Sequence, residues 1–503
     1  MDLEANPSGS GSLPDEPSAA PNLIDASAAA EAAAEADEAQ IELQYNDRMT
    51  DTDALMWAIE KDPMLRSTIT SVLVIDGTIE RDDVWRVFNR ASRVVPRLRQ
   101  RVSSSPLSAA PPRWEIDANF DLGYHVRFAR AAGKGELADV LDMARPIAMQ
   151  GFDRARPLWE CTIVEGLADD QSALIIKMHH SITDGIGAVN LLLELFDLDP
   201  EAPQRAMPEA PPADVMHPLV GFVDSLNHER RRQTGILSRL ASDAVVGVRQ
   251  VMADPVGTFN ATTEMVASAG RLLTPAPNPR SPIMTGRSLS IHLDTITLPL
   301  AATKKAARTI GGTINDAFVS GVARGVQRYH LDHGTNVGRL RVGMPINTRD
   351  PSGVSVVGND WVPARFDVPV ESNDPADFMR EIHDHLVSAR EEPANQLVGP
   401  MSNVLNRLPT TVVTQIFGSM MKGLDFQASN VPGSPVPIYL LGSRITAVIP
   451  FGPLAGAGLN VTLLSYCDDL NLGVNIDVAA VPDPEFMVEH IRAAFAELLA
   501  LGD

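Results

Sequence analysis

The sequence predicts a mixed α/β (α+β) fold, on three observations. Short apolar runs with strand character recur along the chain and alternate with stretches of 3.6-residue helical periodicity. A Pro-, Ala- and Glu-rich stretch from Pro200 to Pro218 separates two halves that each mix both element types. Hydrophobic residues make up 44% of 503 positions and charged residues 21%, enough for large cores, yet no run of 18 apolar residues exists.

The elements follow in order. Residues 1–40 carry nine acidic residues, no Lys or Arg, and much Ala, Ser, Pro and Gly, so they read as an acidic disordered tail. Thr52-Asp53 opens a short helix through Trp57 and Ile59, and Thr68 to Ile75 reads as a strand. Val84, Phe88, Ala91, Val95 and Leu98 mark the buried stripe of a helix. Strand patterns recur at Tyr124–Phe128, Leu158–Val164 and Ala173–Met178. After the linker, Leu219 to Met252 is amphipathic, with Arg230, Arg231 and Arg232 between two apolar groups; it reads as a packed helical arm or a membrane-surface segment. The second half predicts strands at Ser288–Leu293, Leu340–Ile346, Asp360–Phe366, Ile445–Pro450, Leu459–Tyr466 and Leu470–Ile476. Helices are expected over Ile314–Tyr329, around Phe378, Ile382 and Leu386, and from Phe486 to Leu499, with Gly502 as a stop. This gives an N-terminal lobe over 41–199, a linker and arm over 200–285, and a C-terminal lobe over 286–503.

A net charge of −22 argues against nucleic acid as a partner and leaves any membrane contact local and apolar. Two distant cysteines, Cys161 and Cys467, make no disulfide framework and suit a reducing compartment. The first residues are acidic and polar, unlike a secretory leader. A cytoplasmic protein, soluble or peripheral to membrane, is expected.

The chemistry concentrates in one stretch, Met178-His179-His180-Ser181-Ile182-Thr183-Asp184-Gly185, which contains His-His-x-x-x-Asp-Gly. A histidine at the end of a buried strand, with a carboxylate four residues on, suits general-base chemistry at neutral pH. Alternation places His180 on the face of Leu174, Ile176 and Met178, and His179 on the face of Ile175 and Lys177. Adjacent strand histidines do not converge on one metal, and no Cys or further His stands at ligand spacing, so no metal is expected. Thr183 or Asp184 suits a helix cap and Gly185 a close backbone approach. A satisfied core histidine beside a helix cap is the bland alternative.

Thr313-x-x-Asp316 matches a capping box with Asp in the Glu place, so capping explains Asp316 at least as well as catalysis. Asn315, at a helix start, has an amide suited to stabilising negative charge. Pro157-Leu158-Trp159 is most simply core, with an indole N–H that needs a partner. Arg97, Arg99 and Arg101 read as a favourable helix C-terminus, ahead of CoA phosphate binding. Asn430-Val431-Pro432-Gly433 reads as a turn, and Pro450-Phe451-Gly452-Pro453 as a loop beside a cleft. Neither a Gly-x-Ser-x-Gly elbow nor a phosphate-cradling Gly-x-x-x-x-Gly-Lys-Ser/Thr is present.

Together, His-His-x-x-x-Asp-Gly, Pro-Leu-Trp before it and Asn-Asp after it resemble the bacterial wax ester synthase/acyl-CoA:diacylglycerol acyltransferase family. That family is similar to chloramphenicol acetyltransferase and other CoA-dependent acyltransferases, and the resemblance runs from about Arg48 to the C-terminus. It implies two lobes joined by a helical linker, with the active site in a tunnel between them. It implies transfer of a long-chain acyl group from acyl-CoA, as substrate and with no cofactor, to a diacylglycerol or fatty alcohol at a membrane or lipid droplet surface. His180 would be the base, His179 auxiliary, Asp184 the loop organiser, and Asn315 with Asp316 the second functional motif. Gly185, Pro157, Leu158 and Trp159 would border bound substrate. Two alternatives stand beside this reading. One is an acyltransferase or condensation-type enzyme fed by a carrier protein; the other is an inactive lipid-binding protein on the same fold.

Overall fold

The apolar runs build two six-stranded sheets. The computed structural model describes residues 45–104, 110–182, 191, 194–213, 230, 278–347, 361–390 and 410–502, all within one compact unit from Leu43 to Asp503. In chain order the first part holds α1 (Asp51–Ile59), β1 (Thr68–Ile75), α2 (Arg81–Val94), β2 (Gln100–Ser103), β3 (Arg113–Ile116), α3 (Leu122–His125), β4 (Val126–Arg130), α4 (Leu137–Met149), β5 (Trp159–Glu165) and β6 (Ser172–His179). The second part holds β7 (Ile291–Pro299), α5 (Leu300–Arg308), α6 (Ile314–Asp332), β8 (Arg339–Asn347), β9 (Trp361–Pro369) and α7 (Pro375–Arg390). It continues with α8 (Thr410–Lys422), β10 (Phe426–Val431), β11 (Tyr439–Leu440), β12 (Ser443–Phe451), β13 (Leu459–Tyr466), β14 (Asp469–Asp477) and α9 (Pro484–Leu499).

One sheet runs β11-β12-β1-β6-β5-β4 and the other β7-β14-β13-β10-β8-β9. Strands β5 and β6 are buried on both faces, which is why they read as continuous apolar runs. Val84, Phe88 and Ala91 of α2 cover one face through Leu73, Ile163 and Ile176. Val140, Leu141 and Ala144 of α4 cover the other through Val72, Val164 and Ile175. In the second sheet, α6 packs so tightly on α9 that a Cβ on Gly321 would stand 2.2 Å from the Phe495 ring.

Strand β12 joins the two bodies. The sequence leaves Ile445–Pro450 with the C-terminal half, but the strand lies in the first sheet, antiparallel to β1, with Val72 opposite Ile449. Its end is held by the second sheet. Gly452 N–H donates to Thr462 Oγ1 at 3.1 Å, and Asn475 Nδ2 donates to Gly452 O at 3.0 Å. Gly473 lies so close that a Cβ there would sit 1.7 Å from Pro450 O, so only glycine fits. The strand expected to end at Pro450 therefore runs on through Phe451, which was expected in a loop.

Other departures have local causes. The helix expected through Leu98 stops at Val94, because Pro96 pushes Val95 to extended backbone; Pro96–Leu98 then forms a 3-10 turn. Tyr124, expected in a strand, lies in α3, which Asp121 starts by accepting from Gly123 N–H. Strand β7 begins at Ile291, since the Ser288 N–H and hydroxyl both bond the Asp477 carboxylate of the neighbouring strand β14 instead of joining the backbone ladder. Helix α9 ends at Leu499 as expected and passes into a 3-10 turn, where Gly502 packs on Ala306.

Candidate active site

Strand β6 delivers the histidine pair. Its ladder with β1 ends where His179 faces Thr68, and its ladder with β5 starts where Met178 faces Trp159. Past that point His179 N–H donates to Leu158 O at 3.0 Å and His180 N–H to Ser67 O at 2.8 Å. The chain then turns into a 3-10 segment, His180–Ile182. His180 has thus left the strand, and alternation does not set its direction, contrary to the face expected for it. It is half-buried, whereas His179 is buried.

Both ring nitrogens of His179 are committed. Ser181 N–H donates to Nδ1 at 3.1 Å, so Nδ1 is an acceptor and the proton sits on Nε2. The Ser181 hydroxyl lies 2.7 Å from the same Nδ1. Nε2 donates to Glu60 Oε1 at 2.9 Å. Trp57 and Phe152 stand edge-on to the ring at 5.6 and 6.2 Å between centroids. Glu60, just past α1, also accepts from Ser67 N–H at 2.6 Å, and Arg154 lies 3.6 Å from its other oxygen. Burial would raise the Glu60 carboxyl. The neighbouring His179, the Ser67 N–H and Arg154 outweigh it and hold the carboxyl below its ordinary range.

Lys177 shares the His179 face, as alternation requires. It is fully buried beneath Phe152, with Nζ 4.3 Å from that ring centroid and 3.8 Å from Glu160 Oε1 on the opposed strand. Burial lowers the ammonium's pKa, and Glu160 only partly restores it. Arg127 holds the other Glu160 oxygen at 2.9 Å.

Pro157-Leu158-Trp159 reaches the histidines through its backbone. The Trp159 side chain lies in the core, stacked on His125 at 4.6 Å and on Phe88 at 6.1 Å. Its indole N–H donates to Leu98 O at 2.8 Å. Asn315 and Asp316 open α6, on the other sheet's helical layer. Asp316 closes the capping box on Thr313, with Thr313 N–H and hydroxyl at 2.6 and 2.8 Å from Oδ2, and His383 Nδ1 lies 3.1 Å from the same oxygen. Asn315 is buried; Nδ2 meets only Met344 Sδ at 4.0 Å, and Oδ1 has no hydrogen-bond partner among the described residues. Asp184 and Gly185 lie outside the described residues, as does the segment 219–252 apart from Arg230.

Arg97 and Arg99 are both engaged by neighbouring groups. Arg97 is buried between Trp114 at 4.4 Å and Tyr45 at 5.6 Å and donates to Asn46 O and Gln100 Oε1. Burial pushes its pKa down to about 10. Arg99 lies over Phe120 at 4.5 Å and bonds Ser92 and Asn89. Helix α2 ends at Val94, so neither lies in its last turn as the sequence led one to expect. An open cleft of about 620 Å³ lies elsewhere, lined by Arg280, Arg339 and Asp367 among others and by no residue of β5 or β6. Sequence reasoning assigned no role to Glu60, Ser67 or Glu160. A lysine inside the apolar run Ala173–Met178 was the one local sign of a polar site on that face.

Residues 49–318 match the wax ester synthase/diacylglycerol acyltransferase catalytic domain, and residues 357–499 the WS/DGAT C-terminal domain. A provisionally named diacylglycerol O-acyltransferase of Mycobacterium tuberculosis is 35% identical over 459 residues, covering 91% of this chain and 93% of that one. A second from the same species is 27% identical over 469 residues, covering 90% and 96%. The fold is similar to that of the wax ester synthase/diacylglycerol acyltransferase from Marinobacter aquaeolei VT8, with a TM-score of 0.58, 20% identity and 91% and 100% coverage. It is also similar to the first condensation domain of the calcium-dependent antibiotic synthetase, with a TM-score of 0.57, 15% identity and 92% and 97% coverage. With its sequence matched across both domains and its fold shared, the chain belongs to the wax ester synthase/diacylglycerol acyltransferase family.

Proposed function

We propose that this acyltransferase moves a long-chain acyl group from acyl-CoA to the hydroxyl of a diacylglycerol, a fatty alcohol, or both. One observation carries the reading. Glu60 and Ser181 engage both ring nitrogens of His179, so proton acceptance falls to His180 at the strand exit. His180 takes the acceptor's hydroxyl proton as that oxygen attacks the thioester carbonyl. The C–O bond forms, the C–S bond breaks, and the electron pair leaves on the CoA sulfur, which then receives the proton from His180. A thiol pKa of about 8.5 makes the thiolate a fair leaving group. Asn315 and the N–H groups at the start of α6 stabilise the oxyanion. Asp316 supports Asn315 through the cap, Asp184 organises the histidine loop, and Gly185 borders bound substrate. Pro157 and Leu158 border the acyl path, with Trp159 as their core anchor.

The chain divides into an acidic tail (1–40), an N-terminal lobe (41–199), a linker and arm (200–285) and a C-terminal lobe (286–503) that lends β11 and β12 to the first sheet. Both reactants are apolar, so the acceptor reaches His180 from a membrane or droplet surface. Attachment there is peripheral; among the described residues no helix is long and apolar enough to cross a membrane. The test is turnover of palmitoyl-CoA with diolein or hexadecanol, resolved by lipid chromatography. Triacylglycerol or wax ester is expected, and neither from His180→Ala. Transfer only from an acyl carrier protein would install a carrier-fed enzyme in its place. Acyl-chain binding without transfer from any donor would leave a lipid-binding protein.

A further inference from the structure

A closed circuit of hydrogen bonds surrounds the backbone of His180. Glu60 Oε1 accepts two of them, from Ser67 N–H at 2.6 Å and from His179 Nε2–H at 2.9 Å. Ser67 O in turn accepts from His180 N–H at 2.8 Å, and the peptide link between His179 and His180 closes the ring. One carboxylate oxygen therefore ties the start of β1 to the end of β6. On the far side, Ser181 N–H bonds back to the His179 ring. The residues before and after His180 are thus fixed by one imidazole, and that imidazole is fixed by Glu60. Trp57 and Phe152 leave the ring little room to turn. Glu60 is itself braced, because Arg154 lies 3.6 Å from its outer oxygen and stacks on Trp57 at 4.0 Å.

We propose that Glu60 is a positioning residue for acyl transfer, placing His180 through His179 and Ser67 by where its oxygen sits and not by its charge. The inference rests on His180 as the base. Backbone placement matters at this site because a shift of about 1 Å in a catalytic group costs on the order of 10²-fold in rate.

Two conservative variants separate position from charge. In Glu60→Gln the amide oxygen remains at the Oε1 place and still accepts from both donors, while the charge is gone. In Glu60→Asp the charge remains, but the side chain is one methylene shorter, and its oxygens withdraw from both donors. Each variant and the parent are assayed well below their melting temperatures, with kcat, KM for palmitoyl-CoA and the pH profile measured per folded molecule. Positioning predicts that Glu60→Gln keeps kcat within roughly threefold, with an unchanged pH profile. It predicts that Glu60→Asp loses roughly 10- to 100-fold in kcat with little change in KM. The reverse order, with Asp active and Gln impaired and its pH profile shifted, overturns it in favour of a charge role. Equal and unimpaired kcat in both variants, whatever their melting temperatures, also overturns it. His180→Ala in parallel distinguishes the two readings. If that variant turns over normally, the base assignment falls and takes this inference with it. If it is inactive while Glu60→Asp is unimpaired, only the positioning role falls.

Discussion

The Lys177 ammonium lies 3.8 Å from Glu160 Oε1 and has no exposed surface. The partners are unequal, since Glu160 also holds Arg127 at 2.9 Å while Lys177 has no second carboxylate within ion-pair distance among the described residues. Removing one partner of a buried pair strands the other charge, and replacing an ion with an apolar residue of similar size is often neutral. Lys177→Met should therefore change stability by about 1 kcal/mol or less, because Arg127 still pairs Glu160. Glu160→Leu should cost about 3 kcal/mol or more, because the ammonium remains buried. Urea unfolding of both variants checks the asymmetry; equal losses would show that the pair acts as a symmetric bridge.

The adjacent histidines should fail in different ways. His180→Ala is expected to lower kcat by roughly 10²–10⁴-fold with the melting temperature almost unchanged. His179→Ala leaves the Glu60 carboxylate without its imidazole donor in a buried setting, so it should cost about 3 kcal/mol of stability. Calorimetry beside single-turnover assays separates the two; a fully stable His179→Ala would mean that the imidazole is not a structural post.

Asn315 and Asp316 should also separate. Asp316→Ala removes the capping box, at about 1–2 kcal/mol, with specific activity per folded molecule largely kept. Asn315→Asp exchanges a donor for an acceptor where oxyanion charge is proposed to form, and kcat should fall on the order of 10²-fold or more. A stability loss alone in Asn315→Asp would remove it from the site.

Acid should expose Glu60. A carboxyl held below its unfolded value contributes stability that is present above the ordinary carboxylate pKa of about 4.3 and lost as pH falls through the folded value. The stability gap between the parent and Glu60→Gln should thus be widest above pH of about 5 and close as pH drops below about 4. Denaturant midpoints across that range measure it; a gap that widens on acidification would reverse the sign of the linkage.

Local pattern made much of this architecture legible. The apolar runs of β1, β6, β13 and β14 and the first three positions of the α2 stripe, Val84, Phe88 and Ala91, are legible within one window of sequence, and they stand where the periodicity puts them. Long-range pairing was not legible. Glu60 stands 119 residues from His179, and no local signal links them. Strand β12 reads as a strand, but period-2 alternation does not name its partner, so its place beside β1 was hidden. The hairpin of β2 and β3 is short and half-buried, with a weak apolar pattern. Arg97 carries a charge that propensity rules send to the surface, while stacking on Trp114 and Tyr45 brings it inside.

The insertion of β12 sets a schedule for biosynthesis. Thr446 Oγ1 donates to Val74 O across 372 residues, so the sheet that carries the histidines closes only once β12 has been made. Until then β1 is an open edge, a run of Thr, Ile, Val and Leu ready to recruit any stray strand. Loop closure over such a span is slow, and the waiting edge is an aggregation hazard. A split of the chain at the central linker would strand that edge permanently in one fragment and leave the other with a strand that has lost its sheet.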